Sequence, residues 1–149
     1  MKPINESRVR FPSLSANEAY ARAVVSAFAV QCDPTVNELN DLRTAVSEAV
    51  TNCIVHAYRD TIGDIHLHMR LLENGRVVVK VRDRGCGIED IQKAREPLFT
   101  TGGEERSGLG FSVMESFCDK LRVTSRPGFG TTVTLEKSIR GKADAGEAT

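Results

Sequence analysis

The stretch IHLHMRLLENGRVVVKVRDRGCG, residues 65–87, decides the fold. Ile65, Leu67, Met69 and Leu71 alternate with His66, His68 and Arg70, the period-two pattern of a half-buried strand. Asn74-Gly75 is a strong hairpin signal, because both central residues of the favoured two-residue turn need positive φ. Val77, Val79 and Val81 resume the alternation on the returning strand, and Asp83-Arg84-Gly85-Cys86-Gly87 breaks it. The middle of the chain is therefore an antiparallel hairpin that runs into a glycine-rich bend.

Upstream lie helices. Thr35-Val36-Asn37-Glu38 reads as a capping box after Pro34 and opens a helix running to about Tyr58. Its buried stripe is Leu39, Leu42, Val46, Ala49, Val50, Cys53 and Ile54. Ser15-Ala16-Asn17-Glu18 reads as another capping box, opening a helix over Ala19 to Val30; Val9 and Phe11 around Arg10 give a weak strand signal. Downstream, Ile88 to Ala94 reads as a short helix ended near Pro97, and residues 100–110 as a polar, glycine-rich loop. Phe111 to Phe117 reads as a helix, Leu121 to Ser125 as a strand, Pro127 to Gly130 as a turn and Thr131 to Lys137 as a last strand. Residues 1–140 form one domain, and the small, charged stretch 141–149 a frayed tail. Helices followed by an antiparallel meander predict an α+β, two-layer sandwich. Its sheet is mixed but mostly antiparallel, with helices on one face.

Composition narrows the class. With 149 residues, 40% of them hydrophobic, the chain can bury one core. Lys plus Arg equals Asp plus Glu at 20 each, which gives no electrostatic case for direct nucleic-acid binding. No apolar run reaches the ~18 residues of a membrane span, and the first residues lack the apolar core of a signal peptide. Cys32, Cys53, Cys86 and Cys118 are scattered without a C-x-x-C pair, which argues against disulfides and zinc and fits a reducing cytoplasm.

Glu48 and Asn52 stand one helical turn apart on one face, and His56 continues the row. A carboxylate and an amide oxygen so placed suit a hard cation such as Mg²⁺, or the carboxylate can orient or deprotonate a nucleophile. A solvated helix flank has the same spacing. Asp83-x-Gly85-x-Gly87 follows a Val-rich strand, where an Asp can accept a hydrogen bond from an exocyclic amine such as that of adenine; a plain turn reads the same way. Ser107-Gly108-Leu109-Gly110 opens the helix at Phe111, and backbone N–H groups at a helix N-terminus favour phosphate. Thr100, Thr101, Gly102, Gly103 and Arg106 precede it, a phosphate lid with an Arg for the γ-phosphate. Neither a Walker A loop nor a Rossmann fingerprint is present. Gly130-Thr131-Thr132 completes an ordered set more specific than any of its parts.

That set resembles the GHKL ATPase superfamily, which includes gyrase and the histidine kinases. Residues 44–58 look like its N box, 83–88 its first glycine box, 102–110 its lid and second box, and 130–132 its third. The resemblance implies a Bergerat-type sandwich binding ATP or ADP with Mg²⁺. Asn52 would hold the metal and Asp83 the adenine amino group, with Thr132 supporting adenine through water. Gly85, Gly87, Thr100, Thr101, Arg106, Ser107, Gly108, Leu109 and Gly110 would surround the nucleotide.

A closer resemblance is to the anti-sigma F family of sporulation serine kinases. It rests on Asn17 to Arg22, Ser47 to Asn52, Pro97 to Thr101, and Arg106 to Phe111 with Met114-Glu115. It implies a homodimer that binds sigma factor F and phosphorylates a serine of an anti-anti-sigma partner. Glu48 would be the general base and Arg22 a contact for both partners. The lid Gly102-Gly103-Glu104-Glu105 is a residue shorter than in that family and lacks its Lys-Pro. The alternatives are a stress-response anti-sigma kinase, a detached histidine-kinase domain, and a non-catalytic module that sequesters sigma under nucleotide control.

Overall fold

The computed structural model describes residues 2–96 and 109–141. In chain order its elements are β1 (Pro3–Pro12), α1 (Asn17–Ala29), α2 (Val36–Asn52), β2 (Asp64–Leu72), β3 (Arg76–Asp83), α3 (Ile91–Ala94), α4 (Phe111–Phe117), β4 (Lys120–Arg126) and β5 (Gly130–Ser138). The sheet has the order β1-β2-β3-β5-β4, and every ladder in it is antiparallel. The expectation of a mixed sheet is corrected there. Tight turns join β2 to β3 and β4 to β5, while the long excursion from β3 delivers β4 at the far edge. β5 then returns beside β3 in the opposite sense.

One sheet face is covered by α1, α2 and α4. Ile65, Leu67, Met69, Val77, Val79, Val81, Val133 and Leu135 point into it and are almost fully buried. Against them pack Val25 of α1, Leu42, Val46 and Val50 of α2, and Phe111 and Met114 of α4, in one continuous cluster. Each such side chain contributes roughly 1.5–3 kcal/mol by leaving water. The stripe predicted on α2 is the observed one, with Leu39 and Ile54 partly buried at its margins.

The two predicted capping boxes fare differently. At α2 both arms form: Thr35 Oγ1 accepts from Glu38 N at 3.1 Å, and Glu38 Oε1 accepts from Thr35 N at 2.9 Å. The Glu38 carboxylate also receives the N–H groups of Arg140 (2.8 Å) and Gly141 (3.2 Å). The chain is therefore docked on α2 as far as Gly141; residues 142–149, the rest of the expected tail, lie outside the described residues. At α1 no side chain caps the helix. The Glu18 carboxylate is engaged by Arg22 at 2.6 Å and by the Ser47 hydroxyl at 2.5 Å, so a tertiary contact replaces the local cap.

After Asn52 the helix continues with π geometry over Cys53–Ala57. The Tyr58 N–H closes it by donating to Cys53 O at 3.0 Å. Such wide turns are rare and often sit beside functional sites. Among the described residues no helix is long and apolar enough to cross a membrane.

Candidate functional site

The end of α2, the π turn, the bend after β3 and the start of β5 enclose a cavity of about 240 Å³, with Leu109 and Phe111 on its far side. Asp83 is at its floor. In β3 the alternation that buries Val77, Val79 and Val81 also turns Asp83 inward, where it is 6% exposed. Its Oδ1 accepts the N–H groups of Gly85 (2.9 Å) and Thr131 (3.2 Å). The Cys53 thiol donates to Oδ2 at 3.5 Å, a weak bond that leaves this oxygen able to accept from a ligand. Burial pushes the Asp83 carboxyl up, and its backbone hydrogen bonds oppose the shift. Burial, and then the Asp83 charge, hold Cys53 firmly as a thiol.

Gly85 and Gly87 build the wall. At Gly85 the need is for close approach rather than positive φ, because a Cβ there would overlap the Ala57 carbonyl of the π turn. Gly87 has φ +78° and sits equally tight against the backbone of Arg126. Between them Cys86 donates to Ala57 O at 3.2 Å and accepts from Gly128 N at 2.7 Å, which ties the bend to both neighbours.

Asn52 is 9% exposed. Its Nδ2 donates to Leu109 O at 2.5 Å, while its Oδ1 is buried with no hydrogen-bond partner among the described residues. An orphaned buried acceptor costs about 1–3 kcal/mol, so this oxygen is an open ligand position. It fits a hard cation that takes most of its ligands from phosphate and water. Among the described residues no group of three or more His, Cys, Asp or Glu could hold a metal by itself.

Glu48 lies one turn earlier, and burial raises its pKa. Gly110, the N-cap of α4, packs on it with φ +64°; a Cβ there would overlap Glu48 Oε1. Gly110→Ala is therefore expected to lose about 1–3 kcal/mol of stability to left-handed strain and to displace the Glu48 carboxylate. Denaturant unfolding checks this, and unchanged stability would mean that the α4 entrance repacks freely.

Thr132 is not brought to this cavity. Pairing of Asp83 with Thr131 and of Arg82 with Thr132 turns Thr131 to the helix-covered side and Thr132 to the open face. The position expected of Thr132 belongs to Thr131. Arg22 lies apart, on α1, held by Glu18 and through it by Ser47, the neighbour of Glu48. Thr100, Thr101, Arg106, Ser107 and Gly108 lie outside the described residues. Cys53 and Thr131 line the cavity without having been singled out for it, and His56, which continues the row of Glu48 and Asn52, lines it too. The parity of Val133 and Leu135 signals Thr131; nothing in the sequence marks the π turn that carries Cys53 and His56.

A layered sheet with this cavity between its third strand and an acid-bearing helix defines a histidine kinase-like ATPase domain, and the family model of that description matches residues 11–137. The fold is shared with the RsbU and RsbW domains of Rv1364c from Mycobacterium tuberculosis (TM-score 0.67, 21% identity, 92% of this chain and 33% of that one). It is shared too with the catalytic domain of the histidine kinase ThkA (TM-score 0.55, 17% identity, 89% and 96%). In sequence the chain is 53% identical over 136 residues to the anti-sigma F factor of Caldanaerobacter subterraneus subsp. tengcongensis, covering 91% of this chain and 94% of that protein. It is 47% identical over 137 residues to that of Bacillus licheniformis, covering 91% and 93%. The chain belongs to the anti-sigma F factor family.

Proposed function

We propose that this chain is an anti-sigma factor for sigma factor F and an ATP-dependent serine kinase acting on an anti-anti-sigma partner. Asn52 and Asp83 lining one cavity, with Glu48 one helical turn before Asn52 and against Gly110, support the kinase reading. Asp83 Oδ2 accepts from the adenine amino group, with Thr131 rather than Thr132 beside it. Asn52 Oδ1 would hold Mg²⁺, which when bound neutralises phosphate charge. Thr100, Thr101, Arg106, Ser107, Gly108, Leu109 and Gly110 would serve the phosphates.

Glu48 takes the proton of the incoming serine hydroxyl while its oxygen attacks the γ-phosphorus and ADP leaves. A carboxylate whose proton affinity is raised by burial suits that task. Arg22, presented by Glu18 and Ser47, meets the protein partners. The working form is a cytoplasmic homodimer.

Incubation with Mg-ATP and the anti-anti-sigma protein is expected to yield one phosphoserine on that protein by mass spectrometry. Its absence removes the kinase reading, and acid-labile autophosphorylation would move the chain to histidine-kinase chemistry. Capture of sigma factor F with ADP or ATP present tests the anti-sigma role separately.

A further inference from the structure

Behind the floor of the cavity, several hydrogen bonds meet at one hydroxyl. Ser125 of β4 stands opposite Thr131 of β5 in the ladder. Its Oγ accepts from the Ile88 N–H at 2.8 Å and lies 3.0 Å from Gly130 O and 2.7 Å from Thr131 Oγ1. Ile88 and Thr131 line the cavity, whereas Ser125 stands off that lining. Thr131 is buried, and its N–H is taken by Asp83 Oδ1 at 3.2 Å. Ser125 therefore links the bend after β3 to the residue beside Asp83.

A count of protons and lone pairs gives each of these bonds a direction. A serine hydroxyl has one proton and two lone pairs. The Ile88 N–H occupies one lone pair. If the Ser125 proton goes to Thr131 Oγ1, the contact with Gly130 O is unmade and the Thr131 proton needs another partner. If it goes to Gly130 O, the second lone pair accepts the Thr131 proton, and all three contacts are made. The second arrangement holds one hydrogen bond more and satisfies a buried hydroxyl, so it is the favoured one. In it Thr131 has no proton to offer the cavity and keeps only lone pairs. Ionised Asp83, beside it, is likewise an acceptor only.

The geometry points to Ser125 as a positioning residue for base selection: by holding the Thr131 proton it keeps Asp83 and Thr131 an acceptor-only floor, which admits a 6-aminopurine and rejects a 6-oxopurine. This rests on the nucleotide reading of the cavity and adds to it a residue that touches no nucleotide. An amino group finds acceptors there, whereas a keto oxygen sets lone pair against lone pair. A site built to hydrogen-bond one edge group discriminates against a mismatched one far more than fit alone does.

Calorimetric titration of the full chain with ATP and with inosine triphosphate tests it, since the two differ only on that edge of the base. Wild type is expected to prefer ATP. Ser125→Ala frees the Thr131 proton to turn toward the ligand, and is expected to cut the ratio of the two affinities by about tenfold (about 1.4 kcal/mol). Ser125→Thr keeps the hydroxyl and should restore the ratio. In a Thr131→Val background Ser125→Ala should leave the ratio where it is, because its effect passes through the missing hydroxyl. A purely structural role would instead lower both affinities together. Should Ser125→Ala fail to fold, Ser125→Cys, a weaker donor and acceptor, is expected to lower the ratio in the same direction. An unchanged ratio in the folded variant, or an equal fall in the Thr131→Val background, would overturn the proposal and leave the nucleotide reading standing. Absence of binding of either nucleotide by wild type would overturn both.

Discussion

Glu48→Gln is expected to lower serine phosphorylation by at least about 100-fold, the low end of what a positioned general base contributes, and to leave ATP affinity nearly unchanged. Gln keeps the shape of the side chain beside Gly110 and removes only its ability to take a proton. Retained transfer would eliminate Glu48 as the base. The wild-type rate carries a second signature. Glu48 must be ionised to act, and burial raises its pKa, so the acid limb of the rate–pH profile should lie above the ordinary glutamate value of 4.5. The same shift has a stability consequence. A carboxyl whose folded pKa exceeds its unfolded pKa binds protons preferentially in the folded state, so its ionisation weakens the fold as pH rises through that window. Glu48→Gln should therefore melt higher than wild type near pH 7, and the difference should close as the pH falls toward 4.5.

The second large effect is expected at Asp83. In Asp83→Asn the amide oxygen can keep the bonds from Gly85 N and Thr131 N, so the bend survives. The amide nitrogen then stands where Oδ2 was, and a donor faces the adenine amino donor. Loss of a hydrogen bond to a charged acceptor costs about 1.5–3 kcal/mol, roughly 10- to 150-fold in affinity, before any repulsion is added. Calorimetric titration with ATP and with GTP checks this. ATP affinity should collapse toward that for GTP, while thermal stability should not fall, since the buried carboxylate is removed. Undiminished ATP binding would remove Asp83 from base recognition.

What could be read from the sequence followed from local repetition. Asn74-Gly75 and the alternation around it fixed the β2–β3 hairpin, and apolar spacing fixed the inner stripe of α2. Thr35 and Glu38 found each other because nothing else competed for them locally. Ser15 and Glu18 did not, because Arg22, one turn on in the same helix, offered the carboxylate a charge and Ser47, brought near only by folding, offered it a hydroxyl. β1 was nearly hidden: it is an edge strand, mostly exposed, and only Val9 and Phe11 betray an inner side.

Of the residues that line the cavity, Asp83 and Asn52 were legible from motif and spacing. Thr131 was legible in principle. Val133 and Leu135 face the core, so parity assigns Thr131 to the same side and Thr132 to the other. The π turn was not legible, because five-residue hydrogen bonding leaves no periodic trace over a single turn.

That parity also governs which genetic changes the molecule can absorb. Arg82 and Asp83 are consecutive on β3, as Thr131 and Thr132 are on β5, yet each pair is divided between the nucleotide cavity and the open face of the sheet. A substitution can tune either side alone. Insertion or deletion of one residue within β3 would exchange the two faces at a stroke, sending valines to water and an arginine into the core. Descendants of this chain are thus free to drift in amino-acid identity along β3 and β5 and are held strictly to their length.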